Sequence, residues 1–183
     1  MTVGRLGENL PFCEQFVNND FHYFQTPVID RAELTTNDEH VNDIIYPRSP
    51  REKMAGWMYL PRFLDKIRLS QAGKLHSDYQ PNYLHKGFDT KWLETAGLEA
   101  EEFVAVVNNT ITDGQVADWV QENVEVDEAT RDLFNDAVGN YGADESNKEL
   151  RELLAQRKEE ASMSDRDDVQ CFVDFIDADE GRL

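Results

Sequence analysis

Hydrophobic side chains in this 183-residue chain recur at spacings of three and four over short stretches, and period-two alternation never persists beyond a few residues. Polar caps precede those stretches and glycines follow them. This punctuation predicts an all-α fold, a single irregular bundle of about seven or eight short helices. Ser49-Pro50-Arg51-Glu52 places Ser at an N-cap, Pro at the first helical position and Glu three residues after the cap, which predicts a short helix through about residue 59. Pro61 predicts a second start, because it lacks an N–H and suits a first turn. Leu60, Phe63, Leu64, Ile67 and Gln71 then share an arc of roughly 100°. Gly73 is the natural stop.

Further helices are predicted over 90–96, ended by Gly97, and over 99–108, where Phe103, Val106 and Val107 share a face. Thr112-Asp113-Gly114-Gln115 is a second capping box, ahead of Val116, Trp119 and Val120. Asp127 caps a helix holding Leu133, Phe134 and Val138. Ser146 opens a charged helix with Leu150, Leu153, Leu154 and Arg157. A final helix over about 166–177 carries Val169, Phe172, Val173 and Ile176. Residues 1–47 lack a sustained period. Within them 10–17 fit a short helix, Phe21-His22-Tyr23-Phe24 is an aromatic cluster, and 35–43 are polar and loop-like. The organisation expected is an irregular N-terminal extended arm, 1–47, and a helical domain, 48–183.

Composition agrees with a packed core. Three Trp, six Tyr and ten Phe oppose global disorder despite a formal charge of −19. The longest apolar run, 103–107, is far short of the roughly twenty residues that span a bilayer, so no membrane partner is expected. The first residues show no basic stretch followed by an apolar one, so no secretory signal is read. Cys13 and Cys171 are far apart and outside any CxxC, which suits a reducing, cytoplasmic setting.

Charge divides the chain into three. Residues 1–47 are net −6, residues 48–91 net +5, and residues 92–183 net −18. So acidic a protein repels phosphate backbones, and nucleic acid is not an expected partner. The basic segment either folds against the acidic C-terminal helices and is neutralised there, or lines a site for a small anion.

In the second case Arg51 and Lys53 contribute from a helix first turn, and Arg62, Lys66, Arg68 and Lys74 close over the anion from the next helix. Trp57 and Tyr59 are then the candidates for stacking. Asp65 is three residues from both Arg62 and Arg68, which makes it the expected intrahelical pairing carboxylate. Leu69 lies on the same charged face and implies that the face meets another element or another chain. No metal is expected, because His22, His40, His76 and His85 have no ligand spacing and 177–181 only mimics the opening of a calcium loop. Phosphate-loop, dinucleotide and nucleophile-elbow signatures are lacking too, so no cofactor and no catalytic residue is read. Both cysteines read as inert.

Ser49-Pro-Arg51-x-Lys53-x-x-Gly56, Leu60-Pro-Arg62-x-x-Asp65-Lys66-x-Arg68 and Ala72-Gly-Lys-Leu75 together resemble a bacterial family catalogued only as a domain of unknown function. Tyr79, Gly87-Phe-Asp89, Thr112-Asp113-x-x-Val116-x-x-Trp119 and Asp174-x-Ile176-Asp177-x-Asp179-Glu180 fit the same pattern, from about Ser49 to Arg182. The resemblance implies a small helical domain and assigns no residue a role. The expectation is therefore an uncharacterised helical binding or interaction domain, with an unidentified protein partner or a second copy of itself. The alternatives are a binder or sensor of a small anionic metabolite through 48–75, or an enzyme acting on such an anion with Asp65 or another, unrecognised carboxylate as base. Without a catalytic signature, the balance leans away from an enzyme.

Overall fold

Two residues, Ala55 and Gly56, turn the chain back on itself at φ 51° and 81°. This positive-φ pair is what a two-residue hairpin loop requires. It joins β1 (Lys53–Met54) to β2 (Trp57–Met58), which pair antiparallel as Lys53 with Met58 and Met54 with Trp57. Here the helix expected from Ser49 to about residue 59 is corrected. Ser49 and Pro50 instead begin a β-turn, closed by the Glu52 N–H on the Ser49 carbonyl at 3.2 Å. The Ser-Pro pair suits the first two positions of a turn as well as it suits a cap. Asn135 decides the outcome from a distance: its side chain accepts from the Met58 N–H at 2.7 Å and donates to the Gly56 carbonyl at 2.9 Å.

The computed structural model describes residues 44–183. The possible helix at 10–17, the cluster at 21–24, the polar stretch 35–43, Cys13 and most of the expected arm lie outside the described residues. Seven α-helices follow the hairpin among the described residues. They are α1 (Leu60–Gln71), α2 (Gly87–Ala96), α3 (Ala100–Asn108), α4 (Asp113–Asn123), α5 (Glu128–Gly139), α6 (Lys148–Glu160) and α7 (Phe172–Asp179). With a sheet of only two short strands, the fold is all-α. No helix of the described residues is long and apolar enough to cross a membrane.

Local chemistry sets most of the boundaries. Gly73, at φ 65°, closes α1 in a Schellman turn, with Lys74 N–H on Leu69 O and Gly73 N–H on Ser70 O. Thr112 and Gln115 form the capping box of α4, and Asp127 caps α5 through the Thr130 N–H. Asn147 rather than Ser146 caps α6. Helix α7 starts six residues later than its apolar pattern suggests. The Lys158 ammonium binds the carbonyls of Arg166 and Val169, holding that stretch outside a helix, and the Asp174 carboxylate takes the N–H groups of Gln170 and Cys171.

Helix α1 runs through the middle of the core. Its Phe63 meets Trp92 of α2 and Phe103 of α3, with ring centroids 5.8 and 5.4 Å away, and Trp57 of β2 bridges Trp92 to Phe134 of α5. Such pairs each contribute about 0.5–1.5 kcal/mol beyond their area burial. Helix α3 thereby packs onto α1 and α5 onto the hairpin and α2, while α6 packs against α7. On α5, Phe134 and Val138 enter the core but Leu133, one residue off their stripe, is exposed.

Candidate functional site

Both faces of α1 are buried. Opposite Phe63 and Ile67 lie Arg62 and Lys66, one turn apart and only 4% and 5% exposed. A buried cation without a partner is very costly, so each must have its own carboxylate. The partners come from far along the chain. Arg62 donates Nη1 and Nη2 to the two oxygens of Glu180 at 2.9 and 2.5 Å, and the Tyr79 hydroxyl donates to the same carboxylate at 2.6 Å. Lys66 donates to Asp89 Oδ1 at 2.6 Å and to the Tyr59 oxygen at 3.0 Å, and the Tyr59 hydroxyl in turn donates to Asp89 Oδ1 at 2.7 Å. Asp89 is wholly buried, and its other oxygen accepts the Leu84 N–H at 3.1 Å.

The result is two cation–carboxylate–tyrosine groups stacked along one helix, sharing a cleft. Tyr59, Arg62, Lys66 and Tyr79 line it, together with Asn82, Lys86 and Phe88, and its volume is about 50 Å³. Asp89 and Glu180 stand behind their cations rather than on the wall. Asp78 and Ile176 complete the lining, and the first turn of α2, at Gly87 and Phe88, forms one side.

Titration follows from burial and pairing. Burial pushes the Lys66 ammonium below its ordinary value, against the opposing pull of Asp89. Burial and the neighbouring Asp89 raise the Tyr59 phenol well above the usual range. Burial and Glu180 do the same for Tyr79, against the opposing effect of Arg62. For Glu180, burial acts to raise the carboxyl, but the Arg62 guanidinium outweighs it and the net shift is downward.

Two backbone strains sit at the same place. Tyr59 at φ 70° and Leu84 at φ 63° occupy the left-handed region that side chains other than glycine adopt at a cost. Both deliver a group to Asp89: Tyr59 its hydroxyl, Leu84 its N–H.

The remaining sequence candidates fall elsewhere. Asp65 does not pair within its helix. It accepts both Nε and Nη2 of Arg48 at 2.8 Å, a fork geometry that the i±3 arginines do not achieve. Arg68 binds Asp113, which also accepts Arg48 Nη1 at 2.7 Å. Arg51 reaches Asp174 at 2.5 Å. Lys53 and Lys74 are exposed. Trp57 is buried among Trp92 and Phe134, so no ligand can stack on it. Leu69 is half-buried by its own chain. Asp89, Glu180, Tyr79 and Arg48 were missed as site or pairing groups. The only local signal was that Arg62 and Lys66 fall together opposite the apolar arc, so that covering the face demands two acids.

A family model described as Domain of unknown function (DUF5069) matches residues 44–182, and the chain belongs to that family. No curated protein matches the chain.

Proposed function

We propose that this member of the DUF5069 family binds a small anionic metabolite in the cleft between α1 and the first turn of α2. The observation that carries the reading is the burial of Arg62 and Lys66 on one cleft wall, with their carboxylates placed behind them. Lys66 has three N–H groups and uses two on Asp89 and Tyr59, so one is left for a ligand. Lys86 and the first turn of α2 also line the cleft and add positive potential. A space of about 50 Å³ fits a molecule of a few heavy atoms. Phe88 and Ile176 supply apolar lining, as small-molecule sites generally do. Arg48, Arg51 and Arg68, each paired with an acid of this chain, do not line the cleft.

The test is a thermal-shift series on the full chain with acetate, glyoxylate, pyruvate and inorganic phosphate at fixed ionic strength. A ligand at a hundred times its dissociation constant stabilises by about 2.7 kcal/mol, roughly 5–10 °C for a chain of this size. Selective stabilisation by one of these anions, weakened in Lys86→Ala, supports the reading. A melting point that rises with total salt alone, alike for every anion, overturns it and turns the search to a protein partner.

A further inference from the structure

We propose that Lys66 is an imine-forming lysine, and that the ligand class of the cleft is a two- or three-carbon aldehyde or 2-oxo acid. This inference rests on the anion-binding reading of the same cleft. Lys66 lines the cleft and is held between a carboxylate and a phenol, 2.6 and 3.0 Å away. A buried ammonium needs partners for its N–H groups whatever its role. A nucleophilic lysine needs in addition access to a cleft, together with desolvation that favours the neutral amine. Burial acts on Lys66 in that direction.

The step balances with the groups present. The Lys66 ammonium passes one proton to Asp89, giving a neutral amine and a carboxylic acid. The amine nitrogen attacks the carbonyl carbon as the C=O π pair moves to oxygen. The proton that leaves nitrogen reaches that oxygen through the Tyr59 hydroxyl, which donates its own proton and takes up the other, giving a carbinolamine. Asp89 then returns its proton by way of Tyr59, whose hydroxyl passes its own proton to the carbinolamine hydroxyl and takes up that of Asp89; water departs, and the nitrogen lone pair forms the protonated imine. Asp89 ends as the carboxylate it was at the start, now facing the iminium, and nothing is oxidised or reduced. The carboxylate of a 2-oxo acid meets Lys86 and the first turn of α2 in the same cleft. Tyr59 is a positioning and proton-transfer group held by its strained backbone. Its hydrogen bond to Asp89 keeps the hydroxyl next to the amine.

The experiment is reductive trapping of the full chain with glyoxylate and cyanoborohydride near neutral pH, followed by peptide mass mapping. The expected product is one carboxymethyl group, on Lys66, formed ahead of labelling at the exposed Lys53 and Lys74. Lys66→Arg keeps the cation and is expected to lose the label. Tyr59→Phe is expected to slow labelling by about a hundred-fold while glyoxylate still raises the melting point. Labelling confined to exposed lysines, with Lys66 unmodified in folded protein, overturns the proposal. Glyoxylate stabilisation without the adduct removes the imine and leaves anion binding standing. Absence of both removes the two together.

Discussion

Arg62 and Glu180, 118 residues apart, close a two-bond fork whose oxygens also receive Tyr79 and Arg182. The pair ties the central helix to the last turn of the described domain. Removing Glu180 leaves Arg62 charged and buried without a carboxylate, and removing Arg62 leaves Glu180 with Arg182 and Tyr79 but without its fork; breaking a buried pair costs about 3–5 kcal/mol, less where a second cation remains. Arg62→Met and Glu180→Gln should each lower urea stability by that order, and the double variant by clearly less than the sum. An additive double variant would show that the two side chains do not depend on each other.

Acid should weaken the same links. Glu180, Asp113 and Asp174 are all held below their ordinary values of 4.5, 3.8 and 3.8, because the arginines they face outweigh the opposing effect of burial. The unfolded chain therefore binds more protons in that range, and stability rises with pH. The contribution is complete above about pH 5 and is lost as pH falls through the lowered folded values. A melting curve across pH 3–6 should show this fall, and Glu180→Gln should show a shallower one from a lower starting point.

Gly142 sits at φ 88°, and a Cβ there would lie 2.7 Å from Cδ2 of Phe172. Phe172 is in the core and its N–H bonds the Tyr141 carbonyl, so neither ring nor backbone moves freely. Gly142→Ala should cost about 2–4 kcal/mol from backbone strain and overpacking together. Denaturant midpoints compared with Gly97→Ala, where no atom lies within 4 Å of the added Cβ, separate the two contributions.

The capping box of α4 should be worth about 1 kcal/mol. Thr112→Ala removes the acceptor of the Gln115 N–H, and the loss should appear as a lower denaturant midpoint with an unchanged slope. By contrast Lys53→Ala and Lys74→Ala, both exposed, should stay within about 0.5 kcal/mol of the parent.

What was legible in the sequence was what neighbours decide. Thr112, Asp127 and Gly73 announce helix ends by bonding atoms three to five residues away, and they do so in the structure. The 49–59 segment was misread because each strand has only two residues, too few to show alternation, while its turn chemistry overlaps with that of a helix cap. The clamp from Asn135, 79 residues beyond Gly56, has no local trace.

Partner choice was harder still. Arg62 and Arg68 each have Asp65 three residues away, yet Asp65 turns to Arg48, where a fork is possible, and the two arginines take Glu180 and Asp113 instead. With twenty-five acids after residue 91, spacing could not name those two. The positions that carried the family resemblance nonetheless include Asp89, Asp113 and Glu180, each of which closes a bond with the basic run on α1, and Tyr79, which donates to Glu180.

The Ser49 hydroxyl donates to Asp177 at 2.6 Å, and the Arg182 guanidinium reaches the Pro47 carbonyl at 3.2 Å. Residues 47–49 and 177–182 therefore lie side by side, near the two ends of the stretch that the family model matches. A short linker joining 183 to 44, with new ends cut in the 161–170 connection, should yield a circular permutant that keeps every element. A host protein could likewise accept residues 44–183 within one of its surface loops without being pried apart, because entry and exit lie close together.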